Sequence, residues 1–205
     1  MKSYPSIPRI KTQPGEYYVF DKLDGSNIRA EWTRKNSFFK FGSRNRLLDE
    51  TDPILGESKE LIISGWEKSL SDIFAKERYE RVVCFFEFWG PQSRFGQHSK
   101  EPHKCNLFDV DIYKHGMLPP NKFVKMFGHL DIAGFLYQGI IDEKLVSDVK
   151  NSILSGITFE GVVCKSSVQR KRFSDPIMFK IKTDMWIERL KEYCAGDDKL
   201  YHKLF

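Results

Sequence analysis

The stretch Lys22-Leu23-Asp24-Gly25-Ser26-Asn27 sets a lysine two residues ahead of a carboxylate and three ahead of a glycine. The apolar run Tyr17-Tyr18-Val19-Phe20 leads into it, with Asp21 between. Lysine is ordinarily a hydrated point charge. Between a strand and an Asp-Gly turn, where glycine accepts positive φ at little cost, neighbours can hold it in a crowded site. A lysine held there can lose its proton and attack an electrophile. Lys22 to Gly25 alone also suits a surface hairpin with an incidental lysine, so partners elsewhere in the chain decide between the two.

Three further segments put charge inside an apolar pattern. Glu87 interrupts Cys-Phe-Phe-Glu-Phe-Trp-Gly, Glu160 stands in Thr-Phe-Glu-Gly-Val-Val, and Lys180 and Lys182 alternate with Phe179 and Ile181. Two apart on a strand, the two lysines share a face. Burying an unpaired charge is costly. Glutamate–lysine salt bridges inside a β-core would satisfy these groups. Together with Lys22 they suit another task better, the attack of a lysine on a nucleoside triphosphate. Lys180, Lys182 and a bound Mg²⁺ would favour the neutral amine of Lys22. The lysine pair would absorb charge at the α-phosphate. Glu160 or Asp24 would ligate the metal directly or through water. Glu87 would accept from the ribose, and an aromatic side chain would stack on the base.

Strands and turns must position these groups. Residues 17–20 read as a strand, 28–33 as its hairpin partner and 38–43 as a third strand. Leu61, Ile62, Trp66, Leu70, Ile73 and Phe74 fall near one face and predict a helix within 58–80. The near-continuous apolar run 82–89 reads as a buried strand, followed by a polar loop over 90–104. Strands are expected at 107–113, 158–165 and 176–182, and helices at 121–127, 142–155 and 185–194. Residues 4–14 form a proline-punctuated, basic, extended lead-in, and a short tail closes the chain. The pattern is α+β.

The 205 residues suffice for one good-sized domain or a lopsided pair. With 40% hydrophobic and 30% charged residues, the composition is that of an ordinary soluble globular protein. The 33 Lys and Arg against 28 Asp and Glu give a net charge of +5, which fits a polyanionic partner without requiring one. No stretch is apolar enough to span a membrane, and no secretory leader is expected. Cys84, Cys105, Cys164 and Cys194 are far apart, which argues against zinc and disulfide frameworks and for a reducing cytoplasm.

In this order the segments resemble the covalent nucleotidyltransferase superfamily of polynucleotide ligases and RNA capping enzymes. Lys22 to Asn27 resembles its nucleophile motif, and Ser43-Arg44 the arginine element that follows. Phe86 to Gly90 resembles the ribose-binding glutamate strand, and Leu107 to Ile112 the strand with the adenine-stacking aromatic. Phe159 to Val163 resembles the metal motif, and Lys180-Ile181-Lys182 the final lysine pair. Ser26-Asn27 and the loop Phe95-Gly96-Gln97-His98 are most similar to RNA ligases of the phage nick-sealing type.

The resemblance implies an α+β nucleotidyltransferase fold with antiparallel sheets flanked by helices. It implies one domain over 1–205 without an OB-fold. The implied activity is an ATP-dependent RNA ligase with Lys22 as nucleophile. Asp21, Lys22, Asn27, Arg44, Glu87, Phe108, Glu160, Lys180 and Lys182 would bind the nucleotide, and Glu160 and Asp24 would hold Mg²⁺ or Mn²⁺. The partners would be RNA ends at a nick or break, with DNA or hybrid ends as further substrates, and the protein a monomer. One departure stands out. Where the stacking aromatic precedes an Asp-Ile pair in RNA ligases, this chain has Val110. Phe108, two residues earlier and expected on the same strand face, takes the role instead. Arg44, Arg46 and Arg170-Lys171-Arg172 would grip the nucleic-acid backbone. The alternatives are a DNA ligase, a capping-type guanylyltransferase, and a non-catalytic nucleic-acid-binding module.

Overall fold

The computed structural model describes residues 1–9, 14–49, 52, 55–91, 93, 95, 98–168 and 177–204. Among them the elements run β1 (Tyr17–Asp21), β2 (Ser26–Thr33), β3 (Ser37–Ser43), α1 (Glu57–Lys76), β4 (Arg81–Trp89), β5 (Lys104–Ile112) and β6 (Gly116–Met117). There follow α2 (Pro120–Phe127), β7 (Phe135–Gly139), α3 (Glu143–Lys150), β8 (Gly161–Ser166), β9 (Met178–Lys182), α4 (Asp184–Cys194) and α5 (Asp198–Leu204). Antiparallel pairing builds two sheets, ordered β7-β1-β8-β9 and β3-β2-β4-β5-β6. The architecture is α+β with antiparallel sheets flanked by helices.

Residues 17–20 and 28–33 do not form a hairpin. β1 pairs with β7 and β8, and β2 with β3 and β4. All five β1 residues are buried, a pattern that suits a central strand covered on both faces. Tyr17 and Val19 face a core shared with Leu145 and Val149 of α3, while Tyr18 and Phe20 face the larger core. Residues 22–25 are therefore a crossing from one sheet to the other, and Lys22 stands at that crossing.

β4 explains its own apolar run. Val82, Cys84, Phe86 and Phe88 pack toward Ile62, Trp66, Leu70 and Phe74 of α1. Val83 and Phe85 pack on the other side with Tyr4 and Met178. Those α1 residues recur every four positions, the spacing of one helix face. The Trp66 indole donates to the Cys105 carbonyl at 2.9 Å, which satisfies its polar edge inside the core. Glu87 continues the face of Val83 and Phe85, away from α1.

The basic lead-in is a strap across both sheets. Lys2 pairs with Asp111 of β5 at 2.7 Å, and the Tyr4 hydroxyl donates to Asp109 of β5 at 2.9 Å. The backbone N–H of Lys180 in β9 donates to the Pro8 carbonyl at 2.9 Å. Other boundaries differ from the sequence pattern. The helix expected at 142–155 ends at Lys150, and the strand expected from 158 starts at Gly161. β7 was not expected, because its side chains are exposed or half-buried at a sheet edge. The expected tail forms α5, which buries no residue fully and so leaves little apolar periodicity to read. The cluster Arg170-Lys171-Arg172, and Gly96 and Gln97 of the 95–98 loop, lie outside the described residues. Among the described residues no helix is long and apolar enough to cross a membrane, and the four cysteines are buried free thiols.

Candidate active site

A cavity of about 500 Å³ opens between the two sheets. Period-two alternation aims its walls. On β9, Phe179 and Ile181 enter the α3 core, while Lys180 and Lys182 line the cavity. On β8, Val162 and Cys164 enter that core, while Val163 and Lys165 line the cavity. From the other sheet come Ser26, Asn27, Glu87 and Phe108, and from the crossing Lys22 and Gly25.

Glu160 is the electrostatic centre. Its Oε2 accepts from Lys22 Nζ at 2.8 Å, and its Oε1 accepts from Lys182 Nζ. Lys182 Nζ also lies 3.5 Å from the centroid of the Trp186 ring in α4, a cation–π contact. Gly161 holds the following corner at φ +137°, where a Cβ would collide with the Ile181 carbonyl oxygen. The backbone N–H of Lys22 donates to the Gly161 carbonyl at 2.9 Å. The sequence places Glu160 within a strand, but it stands just before β8, where the chain turns and its carboxylate meets both lysines.

Glu87 accepts from the Gly25 N–H. Burial pushes its carboxyl up to about 7, opposed by Lys22 and Lys182 and reinforced by Asp24. Lys180 is lowered to about 8, first by burial and then by the charges of Lys22, Arg9 and Arg44. Arg44 lines the cavity and donates to Ser6 Oγ at 3.0 Å. Arg46, expected to serve the nucleic-acid backbone, is exposed and pairs with Asp52. Asp21 accepts from the Thr158 N–H at 3.1 Å and hydroxyl at 2.8 Å, so its carboxylate fastens the approach to Glu160. Burial raises the Asp21 carboxyl, and the Thr158 hydrogen bonds oppose that.

Phe108 does line the cavity, but not by sharing a face with Val110. Phe85 pairs with Asp109 and Phe86 with Leu107, so Phe108 is the extra residue of a β-bulge. The bulge sends Leu107 and Val110 into the α1 core and turns Phe108 toward Tyr4, with ring centroids 4.9 Å apart. Val110 is fully buried in that core and cannot meet a base. Sequence reasoning also missed Lys165. Its Nζ donates to Asp109 at 2.8 Å and to the Phe108 carbonyl at 2.7 Å. The signal was present, since Lys165 is two residues from Val163 and in register with the other cavity positions. The strap residues Tyr4 to Ile7 complete the wall.

Asn27 and Glu160 line the cavity and Asp24 does not; these are oxygen groups of the kind a hard divalent cation takes. Asp24 Oδ2 and Asn27 Oδ1 are buried with no hydrogen-bond partner, and Glu160 offers a carboxylate. Among the described residues no three His, Cys, Asp or Glu side chains group to hold an ion. That set suits Mg²⁺, which binds through one or two carboxylates and takes its remaining ligands from phosphates and water.

Comparison with known proteins shows a shared fold. An unliganded variant of the Naegleria gruberi RNA ligase superposes with a TM-score of 0.67 at 17% identity, covering 91% of this chain and 57% of that one. A variant of that ligase with ATP and Mn gives 0.62 at 16%, covering 85% and 51%. The same ligase with PPi gives 0.61 at 19%, covering 87% and 52%. The chain thus spans about half the length of the solved structures it matches. No curated protein matches it by sequence. The family model described as RNA ligase matches residues 15–182, from two residues before β1 to the last residue of β9. Both sheets and every cavity-lining strand fall inside that match, and the chain belongs to the RNA ligase family.

Proposed function

We infer that this chain is an ATP-dependent RNA ligase that works through a lysyl-AMP intermediate. The observation that carries the reading is the convergence of Lys22 and Lys182 on Glu160 at the wall of a cavity that also holds Glu87, Phe108, Lys180 and Arg44. Lys22 Nζ attacks the α-phosphorus of ATP. A P–N bond forms, the P–O bond to pyrophosphate breaks, and the amine proton leaves toward Glu160, the carboxylate to which Lys22 already donates. Lys182 and Lys180 neutralise charge that grows on the phosphate oxygens. Arg44, with Lys180, draws off pyrophosphate. Glu87 accepts from a ribose hydroxyl, Asn27 and Asp21 line the nucleotide's floor, and Phe108 faces the base. A Mg²⁺ held by Glu160 and Asp24 would supply further phosphate charge neutralisation. The AMP then passes to a 5′-phosphate end, and a 3′-hydroxyl displaces it to seal the strand. RNA ends are the expected substrates, with DNA and hybrid nicks as arms of the same assay.

The test is intact mass after incubation with ATP and Mg²⁺. Wild-type protein gains one AMP, Lys22→Ala gains none, and GTP does not substitute. Covalent AMP on Lys22→Ala, or none on the wild type, overturns the assignment.

A further inference from the structure

We propose that a second cavity receives the 3′-terminal nucleoside of the RNA strand whose hydroxyl is joined; this rests on the ligase reading above. The cavity holds about 350 Å³, within the range of small-molecule sites. It lies behind the crossing that carries Lys22 and shares Gly25, Ser26, Leu55 and Leu204 with the nucleotide cavity. An occupant there is continuous with the place where AMP would sit.

The two cavities differ in charge, and that difference assigns their occupants. Lys22, Arg44, Lys165, Lys180 and Lys182 line the first. No lysine or arginine lines the second among the described residues. Phosphates seek cations, so the donor phosphate belongs with the first cavity, and the second suits the uncharged sugar and base that bear the attacking hydroxyl.

Its walls suit a nucleoside. Tyr193 of α4 is 55% exposed and lines the cavity, a ready platform for stacking a base. His103 also lines this cavity and packs on the Phe88 ring with centroids 4.7 Å apart. His103 Nδ1 meets Glu57 at 2.7 Å, whereas its Nε2 is buried with no partner. With Nδ1 engaged by Glu57, Nε2 is the ring nitrogen left for a ligand. A ribose hydroxyl, which can donate or accept, is its natural partner. Lys104, its Nζ 5.0 Å from the Trp89 ring centroid, offers a cation beside this wall for the strand's next phosphodiester.

The experiment separates the reaction's stages in wild type, Tyr193→Ala, Tyr193→Phe and His103→Ala. Self-adenylylation is followed by intact mass. Joining is followed with a pre-adenylylated RNA donor while the concentration of 3′-hydroxyl acceptor RNA is varied. Tyr193→Ala and His103→Ala should raise the half-saturating acceptor concentration about tenfold, the scale of one lost stacking or hydrogen-bonding contact. Self-adenylylation should be unchanged, and Tyr193→Phe should keep the wild-type acceptor dependence. Wild-type acceptor dependence in both alanine variants overturns the inference, as does an equal loss in adenylylation and joining. Failure of the wild type to take up AMP overturns the ligase reading itself, whereas a normal adduct with unchanged acceptor dependence overturns the acceptor site alone.

Discussion

Glu87 and Lys180 bracket neutral pH from opposite sides. Glu87 has to be a carboxylate to accept from ribose, and burial holds its pKa at about 7. Lys180 has to be an ammonium to meet phosphate, and burial with neighbouring cations holds it at about 8. For self-adenylylation, kcat/KM for ATP should therefore rise through pH 7 and fall above pH 8, because it reports groups of the free enzyme. Stability carries the same signature. The folded pKa of Glu87 exceeds its ordinary value of 4.5, so folding takes up a proton between these limits, and stability falls as pH rises from about 4.5 to about 7. Glu87→Gln should flatten that slope in thermal melts and remove the acid limb of the activity profile. An unchanged acid limb in Glu87→Gln would assign it to another group. Glu87 was legible in the sequence as a charge inside an apolar strand, and Lys180 and Lys182 as a pair on one face. Their depth was not legible, because it depends on the strap and on the facing sheet.

The glycine that begins β8 decides whether Glu160 can reach both lysines. Gly161→Ala meets the Ile181 carbonyl and an unfavourable positive φ, a strain of about 2 kcal/mol. In a chain of this size that is a drop in Tm of about 4–8 °C. Adenylylation should fall with it, since relief of the collision moves Glu160 away from Lys182. A variant with the wild-type melt and wild-type adduct formation would remove Gly161 from this role. At this scale the sequence was uneven. Helix α1 announced itself through its four-residue repeat, and β9 through strict alternation. The bulge at Phe108 has no residue signature. It is set by pairing with β4, so alternation carried past it put Phe108 and Val110 on one face wrongly. The pairing of β1 was hidden for a related reason: its partners β7 and β8 lie more than a hundred residues away, and the nearer β2 offered an equally apolar edge.

The two sheets meet at the cavity, and the strap crosses from one to the other. Lys2 and Tyr4 bind β5, Pro8 binds β9, and Tyr4 to Ile7 form part of the wall. Removing residues 1–9 should lower Tm and raise KM for ATP about tenfold or more. Tyr4→Phe, which loses one hydrogen bond to Asp109, should cost about 1 kcal/mol and shift KM less. Thermal melts and ATP titrations of adduct formation check both, and a truncated protein with wild-type KM would deny the strap any part in the pocket. An extended, proline-punctuated lead-in was legible. That it would be a wall was not, because its anchors Asp109, Asp111 and Lys180 are distant in sequence.

That distance also sets a timetable. Pro8 leaves the ribosome 172 residues before the Lys180 it must meet. At ordinary elongation rates of 5–20 residues per second, the strap waits roughly ten to thirty seconds for its second anchor. For most of that interval β1 is also without β8, and Lys22 without Glu160. The nascent chain cannot close the nucleotide pocket until β9 emerges, so the reactive lysine waits for partners made long after it.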